Sequence, residues 1–351
     1  MNTNNFILTT LSQNPEYFEE VIQLIEEEFH YNKCNHYEKD FALLVDPQNF
    51  DNCFIYIDST NNTIVAHLGI CLRTLVRNNI ETQVGLIGGI VTHKKYRGRN
   101  LFKDLMDHVL SSYGKRVSLF ILWSDIEGMY ERFLFYRTGG IIESGKKDFN
   151  SNQKALGYEK TSFHLLAESD FDSIKQLYHS FNENNFLTLK REEKDWSVIR
   201  NMNSIDLFIK RSINGEIKKY FCINKGKDLT NIIHEISCRD FNEYNSLLKE
   251  IGEYKIWLPE TENDKFRSAE TFYTALIRIG NVQLLNQFLM TITKNQLSIV
   301  EIKNENAIFN FRNKDYDTSS KELLQFIFGP KPLEEFSSFK LSLYITGIDS
   351  I

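Results

Sequence analysis

The chain has 351 residues, a formal net charge of −6, and 42% hydrophobic and 13% aromatic content, enough for two or three domains with real cores. The negative balance, without a basic stripe interleaved with aromatics, argues against a nucleic-acid partner, and no apolar run approaches the roughly 20 residues a membrane helix needs. The opening MNTNNFILTTLSQNPEYFEE lacks the basic and long apolar regions of a secretory leader, so a cytoplasmic location and no membrane partner are expected.

In chain order, NFILTTL reads as a strand, and PEYFEEVIQLIEEEFHYN as a helix with Phe18, Val21, Ile22, Leu24 and Ile25 on one face. NCFIYID, TIVAHLGICLRTLV and IETQVGLIGGIVT are three strands of a meander, joined by turns at Asn61–Asn62 and Asn78–Asn79. A helix over 100–113, the strand VSLFILW, a helical stretch around IEGMYERFLFY and a Gly139–Gly140 turn into IIESGKKDF complete a β-α-β-β-β-α-β-α-β order. Beyond about residue 155 part of this grammar repeats: TSFHLLAESDFDSIKQLYHSF, a hairpin around Asn214–Gly215, NIIHEIS, the helix FNEYNSLLKEI and YKIWLP. A last section holds ALIRIG, the helix VQLLNQFLM, strands LSIVEI and AIFNF, the helix SSKELLQFIFG and a terminal strand KLSLYITGIDSI. The sections fall at 1–154, 155–265 and 266–351. The cysteines at 34, 53, 71, 222 and 238 are scattered, which suits buried thiols and neither a disulfide framework nor a metal site.

One short stretch reverses the sign of the chain. HKKYRGRNLFKDLMDHV, residues 93–109, sets basic side chains and a glycine ahead of an amphipathic helix. A helix N-terminus exposes unpaired N–H groups and a partial positive charge, so a loop wrapping into it can cradle a phosphate. Gly98 lets the backbone approach an anion, and Arg97 and Arg99 can pair with its oxygens. Gly88 and Gly89 weaken the preceding strand, which points to a bulge or a close backbone approach.

With this loop directly after a meander, the segment resembles the acetyl-CoA motif, R/Q-x-x-G-x-G/A, of the GNAT superfamily of N-acetyltransferases. Arg97, Gly98 and Arg99 match its opening; Asn100 stands at its first required glycine, and Phe102 where glycine or alanine is usual. The resemblance implies an α/β (α+β) GNAT fold. This is a mixed, mostly antiparallel sheet flanked by helices, here with a second GNAT-like domain lacking the CoA loop and a small C-terminal α/β section. It also implies acetyl-CoA as co-substrate, cradled by Arg97, Gly98, Arg99, Asn100, Leu101 and Phe102. The pantetheine arm would lie along Ile90, Val91 and Thr92, one of whose N–H groups polarises the thioester carbonyl.

EGMYERFLFY is further similar to a stretch of the Eis-type (enhanced intracellular survival) acetyltransferases, which join two GNAT-like domains to a sterol-carrier-like region. That likeness places the proton donor at Tyr130 and the general base at the terminal carboxylate of Ile351. Asp125, Glu127 and Glu81 stay open as bases, and His93 is read as a solvated or phosphate-edge residue. The expected reaction is direct attack of a primary amine, on a small molecule or peptide and favoured if cationic, on acetyl-CoA. A non-catalytic CoA or ligand sensor with a degenerate site is the alternative, and homo-oligomer formation is left open. No HExxH, paired Cys/His ligands, GxSxG or Walker loop is present in the sequence, so no metal site, serine-esterase chemistry or nucleotide triphosphate chemistry is expected.

Overall fold

A computed structural model describes residues 5–32, 35–126, 128–149, 157–260, 270–330, 339 and 341–351. Strand β1 (Phe6–Thr10) leads into α1 (Phe18–Glu28), which buries Val21, Ile22, Leu24 and Ile25 and exposes much of its acidic face. Two one-turn helices follow, α2 (Tyr37–Asp40) and α3 (Ala42–Val45). The meander is β2 (Cys53–Asp58), β3 (Thr63–Arg77) and β4 (Ile80–Thr92). Its turns use Asn62, Asn78 and Asn79 at φ 53°, 51° and 61°, a region asparagine tolerates better than most side chains. Then come α4 (Leu101–Tyr113), β5 (Leu119–Leu122) and β6 (Tyr136–Ser144).

The second stretch repeats the pattern: β7 (Glu159–Thr161), α5 (Glu168–Leu177), β8 (Thr188–Leu189), α6 (Glu193–Arg200), β9 (Asp206–Arg211), β10 (Ile217–Ile223), β11 (Ile233–Cys238), α7 (Phe241–Ile251) and β12 (Ile256–Pro259). The last stretch holds β13 (Glu270–Ile279), α8 (Val282–Ile292), β14 (Leu297–Lys303), β15 (Asn306–Phe311), β16 (Lys314–Ser319) and α9 (Ser320–Phe328).

Among the described residues, thirteen strands form one sheet in the order β1-β2-β3-β4-β5-β13-β6-β12-β11-β10-β9-β7, with β8 on β3; β14–β16 form a separate sheet. The pairs β4–β5 and β11–β12 are parallel and the neighbouring pairs antiparallel, the mixed, mostly antiparallel arrangement expected. Strand β13 enters between β5 and β6, so β6 is left to pair with β12 on its other side. Strands from all three sections therefore interleave in one sheet. The section boundaries at 154/155 and 265/266, and Cys34, lie outside the described residues; Cys53, Cys71, Cys222 and Cys238 are buried free thiols.

Three local expectations differ from the structure. Gly139–Gly140 is no turn but the middle of β6: Gly139 has φ 80°, and a Cβ there would lie 2.6 Å from Thr274 Oγ1, so Gly139 serves the close approach of β13. The stretch around Tyr130 is a turn followed by one 3-10 turn, Glu131–Phe133, ended by Leu134 at φ 61°, instead of a helix. The terminal run is not a strand either. Among its described residues it makes one bridge, Leu343 to Leu187, and closes in a 3-10 turn over Gly347–Asp349, because the buried Lys225 ammonium, not a ladder, satisfies its last carbonyls.

Candidate functional site

Strands β4 and β5 run in parallel register from Val84–Leu119 to Ile87–Leu122, and there their pairing stops. Strand β4 continues to Thr92 while staying paired with β3, through His67–Val91 and Ala66–Thr92. Among the described residues, 88–92 thus have no strand partner on the β5 side, and Ile90, Val91 and Thr92 border the opening. The register between β3 and β4 slips where Leu68 faces both Gly89 and Ile90. This is a bulge, with Gly89 at φ 60° as its first residue.

From this opening the chain enters the basic loop. A single 3-10 turn, Lys94–Tyr96, is capped by His93, whose Nδ1 accepts from the Lys95 N–H at 3.1 Å. Gly98 follows at φ 76° with no atom within 4 Å of where a Cβ would be, and Asn100 takes φ 65° immediately before α4. No side chain caps α4, so the N–H groups of Leu101, Phe102 and Lys103 have no intrahelical partner. This backbone cradle suits an anion such as a pyrophosphate. The arginine side chains, in contrast, turn outward: Arg97 pairs with Glu28 and the Thr92 carbonyl, and Arg99 stacks on Phe6 and Tyr96. Phe102 leaves the cradle open by turning its ring edge-on to Tyr130 and Phe133, at 5.8 and 5.6 Å between centroids.

Tyr130 is buried in the same apolar cluster as Ile87, Leu122 and the inner face of α4, with Ile90 packed against it. Burial raises its hydroxyl above the ordinary value of 10.0, only partly offset by a hydrogen bond with Ser124 just beyond β5. The phenol is therefore protonated at neutral pH and close to the strand that borders the opening.

The opposite face of the sheet carries the chain's last residue. A Cβ at Gly88 would lie 3.0 Å from the main-chain carbonyl carbon of Ile351 and 3.1 Å from Leu44. One at Gly89 would meet His67 at 2.9 Å and the Tyr37 hydroxyl at 3.1 Å. Ile351, His67 and Tyr37 therefore gather on one side of the bulge, each 8% exposed or less. The Tyr37 hydroxyl and His67 Nε2 are buried without partners among the described residues. Burial lowers His67 to about 4, so its ring is neutral at pH 7.

What holds Ile351 there is a buried charge network reaching from β3 to β11. Lys225 Nζ donates to the carbonyls of Gly347, Ile348 and Ser350 at 2.9, 3.0 and 2.5 Å. Asp349 accepts from Arg191 at 2.8 Å and from Arg73 at 3.2 Å, and Arg191 also pairs with Glu235. Burial alone would raise the Asp349 carboxyl, but Arg191 and Arg73 beside it hold it below the ordinary range. With the guanidinium of Arg191 sandwiched over Tyr178 at 3.8 Å, the tail is clamped from several elements at once.

Of the alternative bases, Asp125 is exposed past the end of β5, Glu127 lies outside the described residues, and Glu81 sits at the far end of β4, paired with Lys190. His67, Tyr37, Lys225 and Asp349 did not emerge from the sequence. They lie on separate elements that only the topology brings together, and none falls in a motif.

Residues 11–136 match the family model described as "Acetyltransferase (GNAT) domain". This stretch has the fold of a GNAT acetyltransferase domain. Solved structures with the same fold include a GCN5-related N-acetyltransferase from Anabaena variabilis, at 13% identity and TM-score 0.63, covering 99% of this chain and 100% of that one. Eis1 from Mycobacterium abscessus aligns at 9% identity and TM-score 0.57, over 90% of this chain and 85% of that one. Saccharomyces cerevisiae N-myristoyltransferase, solved with bound myristoyl-CoA, aligns at 12% identity and TM-score 0.52, over 79% and 83%. At such identities the likeness is one of fold. No curated protein matches the sequence. Among the described residues no cluster of potential metal ligands occurs, and no helix is long and apolar enough to cross a membrane.

Proposed function

We propose that the protein is an acetyl-CoA-dependent N-acetyltransferase of primary amines. The observation that carries this reading is the opening beyond Ile87 and Leu122, with a buried, protonated Tyr130 near one face and the main chain of Ile351 against Gly88 on the other. The uncapped start of α4, with Gly98 and Asn100, would hold the pyrophosphate through backbone N–H groups. Arg97 and Arg99 would add charge at its rim, and the edge of Ile90, Val91 and Thr92 would receive the pantetheine arm.

An alkylammonium of pKa about 10 must lose a proton before it can attack. With Ile351 as the last residue, its α-carboxylate takes that proton, directly or through a water. The amine nitrogen then bonds to the thioester carbonyl carbon, the carbon–sulfur bond breaks, Tyr130 protonates the departing thiolate, and the second proton of the former amine nitrogen returns to the tyrosinate, directly or through water, as the amide forms. The carboxylate near Gly88 and the net charge of −6 favour a cationic acceptor. The test is release of free CoA thiol from acetyl-CoA in the presence of a panel of polyamines, aminoglycosides and lysine peptides. Amine-dependent release is expected. Tight acetyl-CoA binding without release by any amine would instead mark a sensor.

A further inference from the structure

The bulge at Gly89 is held by a side chain. His67 Nδ1 lies 2.7 Å from the Gly89 carbonyl oxygen. A carbonyl can only accept, so Nδ1 carries the proton and the neutral ring leaves Nε2 bare. The fit is tight: a Cβ on Gly89 would come within 2.9 Å of the imidazole, and φ 60° already excludes most side chains.

This contact fixes more than one oxygen. In a planar trans peptide the C=O and the following N–H point in opposite directions. With the Gly89 oxygen drawn toward His67, on the Ile351 face, the Ile90 N–H is aimed at the other face. There Ile90 packs against the cluster that contains Tyr130. A regular strand would have put this peptide in the plane of the sheet, bonding to a neighbour; the bulge turns it out.

We infer that His67 is a positioning residue: by gripping the Gly89 carbonyl through Nδ1–H it aims the Ile90 N–H at the thioester oxygen and selects that group as the oxyanion donor. The inference rests on the acyl-transfer reading above and deepens it. Loss of one preorganised oxyanion donor commonly costs about 10² to 10³ in kcat with little effect on ground-state binding.

Two substitutions of similar size separate this role from packing. The amide nitrogen of His67→Asn can occupy the place of Nδ1, whereas that of His67→Gln falls nearer Nε2. His67→Asn should keep kcat within roughly fivefold of wild type, and His67→Gln should lose about 10² to 10³, both with acetyl-CoA affinity unchanged within roughly threefold. Independently of any acceptor, the carbonyl carbon of [1-13C]acetyl-CoA should move downfield on binding to wild type and His67→Asn, and much less on binding to His67→Gln. Equal kcat and equal carbonyl shifts in the two variants would overturn the inference, as would a wild-type complex with no carbonyl shift. A shifted carbonyl without turnover on any amine would overturn the acetyltransferase reading and leave the positioning role standing. Wild-type protein that binds no acetyl-CoA would overturn both.

Discussion

Gly88 and Ile351, 263 positions apart in the chain, touch: a methyl group on the glycine would sit 3.0 Å from the carbonyl carbon of the last residue and 3.2 Å from its oxygen. The contact falls one residue past the last β4–β5 pair, where the sheet opens. Position 88 therefore has to be glycine for the chain's end to reach the opening.

Gly88→Ala should push the Ile351 carboxyl away, since backbone cannot yield as a side-chain tip can. Turnover should fall by roughly 10- to 100-fold while acetyl-CoA affinity holds, a loss of about 1.4 to 2.7 kcal/mol in transition-state stabilisation. Steady-state thiol release and calorimetry with acetyl-CoA measure the two quantities. Unchanged turnover would detach the contact from the chemistry.

Tyr130→Phe removes only a hydroxyl from a buried ring. If that hydroxyl delivers the proton to the thiolate, kcat should drop by about 10² to 10⁴ with little change in cofactor affinity. Because burial raises its pKa, the wild-type rate should keep its acid to a higher pH than an ordinary phenol would allow. Wild-type turnover in the variant would leave Tyr130 as packing for Phe102 and Phe135.

Asn100 tests the backbone cradle. At φ 65° glycine is at home and a β-branched residue is strained by about 1 to 2 kcal/mol, so Asn100→Gly should bind acetyl-CoA as wild type does and Asn100→Val roughly tenfold more weakly. Equal affinity in both would take the helix entry out of the pyrophosphate site.

Lys225 makes the stability of the molecule depend on pH. Burial pulls its ammonium from 10.5 down to about 7, with Asp349 and Asp40 opposing the shift. Between pH 7 and 10.5 the unfolded chain then holds a proton that the folded one does not, so this group makes stability rise with pH across that window. Urea unfolding at pH 7 and pH 9.5 should show a steeper rise for wild type than for Lys225→Met. Parallel slopes would mean that Lys225 keeps its charge throughout.

Much of this arrangement is legible in the amino acids because it depends on local chemistry. The meander follows from alternating apolar residues and asparagine turns, and Gly88–Gly89 does mark a bulge. Asn100, at a glycine position of the motif, adopts a left-handed backbone, which asparagine tolerates better than most side chains. The direction of the Arg97 and Arg99 side chains is not legible, since it depends on neighbours such as Glu28 and Phe6, which come from distant elements. The insertion of β13 beside β5, and the path of the tail over β11, are long-range choices that no periodicity encodes. Lys225 and Asp349 look like ordinary surface charges until Arg73, Arg191 and Glu235 are folded around them.

A base at Ile351 acts through its terminal carboxylate, and lengthening the chain tests that directly. With Ile351 as the last residue, a short Gly-Ser tail moves the carboxylate off Gly88 while leaving the cradle at Gly98 and Asn100 untouched. The decisive measurement is the pH–rate profile of thiol release for tailed and untailed protein at saturating acetyl-CoA and amine. The tailed protein should bind acetyl-CoA normally yet turn over about 10² to 10⁴ more slowly at pH 7, the gap narrowing as pH approaches the amine pKa of about 10. Equal rates at pH 7 would contradict the account and move the base away from Ile351.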